Sequence, residues 1–206
     1  MEHLKPRKLI GTYIDLEPLT VSHKEALRVA SNENQNVWTY FPIGFNGAGD
    51  DFDQWFDRTM EHFSKNEHWP FAVRRKSDQQ IIGTTRFYDI ALEHLRLAIG
   101  SSWYINEVQG TLVNPESRFL MLSYAFENLK VNRVELITDP LNLCSRSAMK
   151  ILGVVEEGVI RSHMIYKNGV VRDSILFSII KSEWPEVKKR LQLRLNMQEK
   201  KELKHA

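Results

Sequence analysis

The chain has 206 residues, of which 42% are hydrophobic, 26% are charged and 21 are aromatic (Phe 10, Tyr 6, Trp 5). That length suits one compact domain with its own buried core, and the apolar content excludes disorder as the dominant state. Lys and Arg total 28 against 26 Asp and Glu. From Lys181 onward there are 8 basic and 4 acidic residues, so the body before it carries a slight acidic excess and no basic footprint for nucleic acid.

The first ten residues, MEHLKPRKLI, hold charges but no apolar h-region, which argues against a secretory signal, and no stretch reaches the ~20 apolar residues of a membrane span. Cys144 is the only cysteine, so an intrachain disulfide is excluded. These features point to the cytoplasm.

Lys8 to Leu19 reads as a strand, rich in apolar residues and ending beside Pro18. Thr20 is placed to cap a helix running to Ala30. Asn32 to Gly49 is loop-like, yet carries Trp38, Tyr40, Phe41 and Phe45 among Pro42, Gly44, Gly47 and Gly49. Such a loop is pinned to a core or lines a site. Phe52, Trp55, Phe56, Met60 and Phe63 follow at helical spacing, with Asp50 and Asp51 at the helix start.

Three strands come next: Pro70 to Arg75, Ile81 to Ile90 and His94 to Ile105, the first two joined by Ser77-Asp78-Gln79-Gln80. After a loop over 106–113, Asn114 is a cap and Pro115 a first helical residue, with Phe119, Leu122, Phe126 and Leu129 continuing a buried stripe. Val131 to Thr138 is a strand, and Asn142 to Leu152 a helix closed by Gly153. Val154 to Ile160 and Arg172 to Ile180 are strands around a Lys167-Asn168-Gly169 turn, and Ser182 to about Lys201 is a last helix with Pro185 in its first turn. The order predicts an α/β fold with a mixed sheet and helices on both faces.

Metal chemistry lacks support, because the histidines (3, 23, 62, 68, 94, 163, 205) form no tight pair with carboxylates. No G-x-S-x-G elbow occurs, and Cys144 on its helix reads as a small packed or half-exposed residue. The stretch WYINEVQGTLVNPESR, from Trp103 to Arg118, is more informative. A strand end, a loop with Gly110 and a helix start aim backbone N–H groups and a helix dipole at one spot, an arrangement suited to an anion. A second constellation follows the next strand, where Asn142 and Ser145 stand one turn apart at a helix N-terminus and Gly153 closes the helix. An amide and a hydroxyl there can bond a ligand lying between two strand ends.

With these pieces in order, the sequence resembles the GNAT superfamily of acetyl-CoA-dependent N-acetyltransferases, in its ribosomal-protein-alanine acetyltransferase (RimJ/RimL-like) branch. The resemblance spans about Lys8 to Lys189. It rests on the Trp103 strand end, QGTLVNPES over 109–117, the Asn142/Ser145/Gly153 set and the closing block RSHMIYKNGVVRDSILFSIIKSEWP. It implies a mostly antiparallel sheet of about seven strands with a splayed central pair. It also implies a single domain over 1–190, followed by a basic helical tail over 191–206 whose end is expected to be disordered.

The resemblance implies acetyl-CoA as cosubstrate, with no metal. Trp103, Tyr104 and Ile105 would offer backbone groups to the pantetheine. Gln109, Gly110, Thr111, Leu112, Val113 and Asn114, extending to Ser117, would hold the pyrophosphate. Asn142 would bond the pantetheine arm, and Ser145 would lie near the thiol and can serve as general acid. Trp38, Tyr40 and Phe41, with the Phe52 helix, would wall the acceptor side. Implied partners are acetyl-CoA and an amine acceptor, with neither nucleic acid nor membrane, in a monomer or homodimer.

Two departures stand out. Leu112 occupies a place where the family favours glycine, so either its side chain crowds the pyrophosphate or the loop follows a different path. Met149 stands where many members carry a tyrosine acid. The strand glutamate that many relatives carry near Ala98 is also missing, which leaves Glu93, Glu107 and His94 as candidate bases. His163 and Asp173 read as structural residues tying a late hairpin. The implied reaction is acetyl transfer to a primary amine, either a protein N-terminus or a small amine. The alternatives are a non-catalytic acyl-CoA-binding module and a transferase using a bulkier acyl-CoA such as succinyl-CoA.

Overall fold

The computed structural model describes residues 6–33, 35–42 and 47–202. Gly44 and Phe45 of the aromatic loop and the last four residues of the tail lie outside that set. One sheet of eight strands organises the chain, in the spatial order β1-β2-β3-β4-β5-β6-β8-β7. The strands are β1 (Leu9–Ile10), β2 (Ile14–Pro18), β3 (Trp69–Arg75), β4 (Ile81–Ala91), β5 (Arg96–Tyr104), β6 (Arg133–Thr138), β7 (Val155–Ile165) and β8 (Val171–Ile180). The helices are α1 (Lys24–Asn32), α2 (Phe52–Ser64), α3 (Val113–Ser123), α4 (Leu143–Leu152) and α5 (Trp184–Glu202). A π-turn over Tyr124–Asn128 prolongs α3. No described helix is long and apolar enough to cross a membrane.

The eighth strand arises because the segment expected as one strand from Lys8 to Leu19 breaks into a hairpin, β1 against β2. The buried Glu116 carboxylate sets that break. It accepts the amides of Thr12 (2.5 Å), Tyr13 (2.9 Å) and Ile14 (2.9 Å), holding the turn against α3. The third meander strand starts at Arg96 rather than His94, because Leu92–His94 forms a 3-10 turn closed by Leu95 in the left-handed region (φ 51°). Helix α3 begins at Val113 with Leu112 as its N-cap, so Asn114 and Pro115 lie inside its first turn. Proline is tolerated there because the first-turn amides have no intrahelical partner.

Alternation along β4 assigns the layers. Arg86 points to α2, meeting Thr59 and the Trp55 ring, while Phe87 points to Tyr124 after α3. Helices α2 and α3 therefore cover opposite faces. On the α2 face Trp103 packs on Trp38 (5.2 Å between ring centroids) and Trp55 (6.2 Å). On the other, Phe126 stacks on Trp184 of α5 (5.4 Å).

Candidate active site

Among the described residues β5 and β6 are the only parallel neighbours, and they pair over Arg96↔Arg133, Leu97↔Val134 and Ala98↔Glu135. Beyond Ala98, β5 keeps its bonds to β4 and β6 keeps its bonds to β8, but the two no longer pair with each other. The cause lies in β5. Thr85 of β4 faces two residues, Ser101 and Ser102, and Ser101 takes φ 48°. Such a bulge bends its strand and increases the local twist. The result is a wedge in which the β5 edge presents unpaired backbone groups.

The cleft at this wedge has four walls. Ile99 to Ser102 form the β5 edge, and Ile137 to Asp139 the end of β6. Asn142, Ser145 and Met149 come from α4, and Tyr40, Phe41 and Pro42 from the aromatic loop. Tyr88, Arg118, Met164 and Arg172 complete the lining. Gly100 is required here by close approach, since a Cβ at that position would sit 2.8 Å from Cε1 of Tyr88.

The residues singled out from sequence fall into three groups. Asn142 and Ser145 both line the cleft. Asn142 is the N-cap of α4, its Oδ1 accepting the Ser145 amide at 2.9 Å, which leaves its Nδ2 as the donor able to face a ligand. Tyr40 and Phe41 also line the cleft, whereas Trp38 is buried beneath them with its indole N–H donated to the Ser31 carbonyl (3.0 Å).

Trp103, Tyr104 and Ile105 continue β5 past the cleft lining, with Trp103 and Ile105 buried. The loop beyond them makes a 3-10 turn at Asn106–Val108, an extended Gln109 and a left-handed Gly110 (φ 78°) with open space around its Cα. The Thr111 hydroxyl donates to the Val108 carbonyl (2.6 Å) and accepts the Val113 amide (3.3 Å), shaping the turn into α3. Leu112 is buried at the N-cap of α3.

The candidate bases fall elsewhere. Glu93 and His94 sit on the exposed hairpin between β4 and β5, each with 71% of its side chain accessible, and both are absent from the cleft lining. Glu107 is tied to Arg75 at 2.9 Å on the surface and is absent as well. Asp173 accepts the Ser162 amide (2.8 Å) across the β7–β8 irregularity, which is the structural use expected of it, and Cys144 is exposed. Among the described residues no group of three or more His, Cys, Asp or Glu could hold a metal ion.

Sequence reasoning missed a polar cluster at the cleft mouth. Asp139, buried at the end of β6, accepts the Leu141 amide (2.7 Å) and the Tyr166 hydroxyl, and lies 3.5 Å from Nε of Arg172. Burial, reinforced by the Asp139 contact, pushes the Tyr166 hydroxyl up to about 12. The cluster joins the strand end that carries Asn142 to the β7–β8 hairpin; Tyr166 and Arg172 lie in the closing block that carries the resemblance, but nothing in that block ties them to Asp139. Arg118 and Tyr88 were missed for the same reason: each reads as an ordinary surface-compatible residue until the wedge brings it inward.

Residues 14–155 match the family model described as "Acetyltransferase (GNAT) domain". The protein described as "Probable N-acetyltransferase YjcK" of Bacillus subtilis (strain 168) is 26% identical over 178 residues, covering 84% of this chain and 96% of that protein. A GCN5-related N-acetyltransferase from Brucella melitensis superposes with TM-score 0.82 at 29% identity, covering 92% of this chain and 86% of the other. Mycobacterium smegmatis RimJ, solved in complex with CoA-disulfide, shares the fold with TM-score 0.73 at 19% identity, covering 88% of each chain.

Proposed function

Since the chain belongs to the GNAT acetyltransferase family, we propose that it moves the acetyl group of acetyl-CoA directly to a primary amine, either a protein N-terminus or a small amine. The observation that carries this reading is the opening of β5 from β6 beyond the Ala98–Glu135 pair, with Asn142 and Ser145 on one lip. A thiol-tipped carrier can lie along the unpaired β5 edge and complete its backbone hydrogen bonds as a further strand would. The open Gly110 turn at the start of α3 suits the pyrophosphate, where N–H groups and the helix dipole favour an anion.

The protein's contribution to this chemistry is mainly positioning. Asn142 Nδ2 holds the pantetheine arm. Backbone amides of the β5 edge stabilise the oxyanion formed when the amine attacks the thioester carbon. The carbon–sulfur bond then breaks, and Ser145 relays to the departing thiolate the proton that the attacking amine gives up, so the hydroxyl is restored and the products are an amide and a free thiol; Met149 cannot fill that role. Tyr40, Phe41 and Met164 form an apolar mouth through which the amine enters.

Calorimetric titration with acetyl-CoA, combined with a thiol-release assay over a panel of amines, tests the reading. Binding together with acceptor-dependent thiol release is expected. Binding without turnover on any acceptor would favour a non-catalytic acyl-CoA-binding module, and absence of binding would remove both readings.

A further inference from the structure

Among the described residues Arg118 has no counter-ion. It lies in the second turn of α3, four residues beyond Asn114, and its side chain reaches the cleft beside Ser101 and Ser102. Its Nη1 is shielded from solvent and has no hydrogen-bond partner, and no ion pair among the described residues includes it. The groups acting on its charge are the hydroxyls of Tyr104 and Tyr88, which burial keeps protonated. The one carboxylate lining the cleft, Asp139, is already taken by Leu141, Tyr166 and Arg172.

A half-buried guanidinium with a shielded nitrogen and no carboxylate is costly, and a ligand anion removes that cost. We infer that Arg118 receives a carboxylate at the reacting end of the cleft, carried by one of the two molecules that meet there. The planar fork of arginine matches a carboxylate with two parallel bonds. The carboxylate can belong to the acceptor, making it an amino acid, or to the acyl group, making the donor a dicarboxylic acyl-CoA. The inference rests on the acyl-transfer reading above.

The test uses the full chain and its Arg118→Met and Arg118→Lys variants. One arm titrates acetyl-CoA, butyryl-CoA and succinyl-CoA by calorimetry. The other measures thiol release from acetyl-CoA with a panel of amino acids, each matched with the amine lacking its carboxylate. The wild type is expected to prefer the carboxylated member in one arm, which identifies the source. Arg118→Met should reduce that preference about tenfold or more, Arg118→Lys should keep part of it, and acetyl-CoA affinity should hold in both.

Arg118→Met is also expected to raise Tm, because it deletes a half-buried charge that no carboxylate offsets. A lowered Tm would make the guanidinium structural and overturn the inference. So would a wild type with no carboxylate preference in either arm, or equal weakening of all three thioesters, which would make Arg118 a phosphate ligand. Equal loss of turnover on both members of every amine pair would assign it to the oxyanion instead. Failure of the wild type to bind acetyl-CoA would remove the acyl-transfer reading itself, and this inference with it.

Discussion

Ala98 of β5 and Glu135 of β6 face each other at the last paired position of the two strands, and the residues that these two strands give to the cleft, Ile99 to Ser102 and Ile137 to Asp139, lie beyond that pair. β5 runs on to Tyr104 held by β4, and β6 runs on to Thr138 held by β8. Each strand is thus stabilised on its outer edge, so the inner edges can stay apart without leaving the sheet incomplete. The bulge at Ser101 fixes the angle.

Asn142 caps α4 and, in the proposed reading, also holds the cofactor. Asn142→Ala is expected to weaken acetyl-CoA binding by about 1–2 kcal/mol, the scale of one lost ligand hydrogen bond. The same change removes the cap on the Ser145 amide and should cost about 1 kcal/mol of stability. Asn142→Ser keeps a capping oxygen, so it should restore stability without restoring affinity. Paired calorimetry and urea denaturation measure both, and full affinity in the alanine variant would take Asn142 out of the site.

For Ser145→Ala the expected signature is kinetic. If the hydroxyl returns the proton to the thiolate, turnover falls more than cofactor affinity does. Equal loss in both would leave Ser145 as a binding residue alone. Its backbone amide, which Asn142 accepts, is unaffected by the substitution, so α4 should keep its start.

Glu116 anchors the first hairpin to the helix whose N-terminus opens on the Gly110 turn. Glu116→Ala strands three amides, those of Thr12, Tyr13 and Ile14, that now bond a carboxylate. A loss of about 3 kcal/mol or more in unfolding free energy is expected, since a bond to a charged group contributes ~1.5–3 kcal/mol. Hydrogen exchange should show Ile14 losing its protection first. Unchanged stability would mean that water replaces the carboxylate at no cost.

Leu112→Gly is expected to destabilise the protein by ~2–5 kcal/mol through loss of a buried side chain, with no gain in CoA affinity. Tighter CoA binding in this variant would show that the side chain obstructs the phosphates after all.

His68 gives the stability a pH dependence of defined sign. Burial, with Arg86 and His62 adding to it, lowers His68 to about 4 from its ordinary 6.5. Its ring stacks on His62 at 4.4 Å and lies edge-on to Tyr88 at 6.2 Å. Between those two pH values the unfolded chain binds a proton that the folded chain refuses, so stability falls as pH drops from about 6.5 to 4. Partial exposure to solvent limits the effect to roughly 1–2 kcal/mol. His68→Gln should flatten the dependence in that window, as read by thermal unfolding at stepped pH, and an unaltered slope would assign the effect to other groups.

Local sequence determined the elements and one lip of the site. The period of Phe52, Trp55 and Phe56 sufficed for α2, Lys167-Asn168-Gly169 for the last hairpin, and Asn142 with Gly153 for both ends of α4, because caps and periodicity are properties of neighbouring residues. The missed elements were those set by distant partners. Glu116 splits the first strand from more than a hundred residues away, and the burial of Leu112 likewise had no signal in its neighbours along the chain. Tertiary structure alone decided that Arg118 and Tyr88 enter the cleft, that Asp139 gathers Tyr166 and Arg172, and that Glu93 and Glu107 stay on the surface. Which side chain meets a gap between two strands depends on where each strand finds its other neighbour, and that pairing is a long-range choice no short window of sequence encodes.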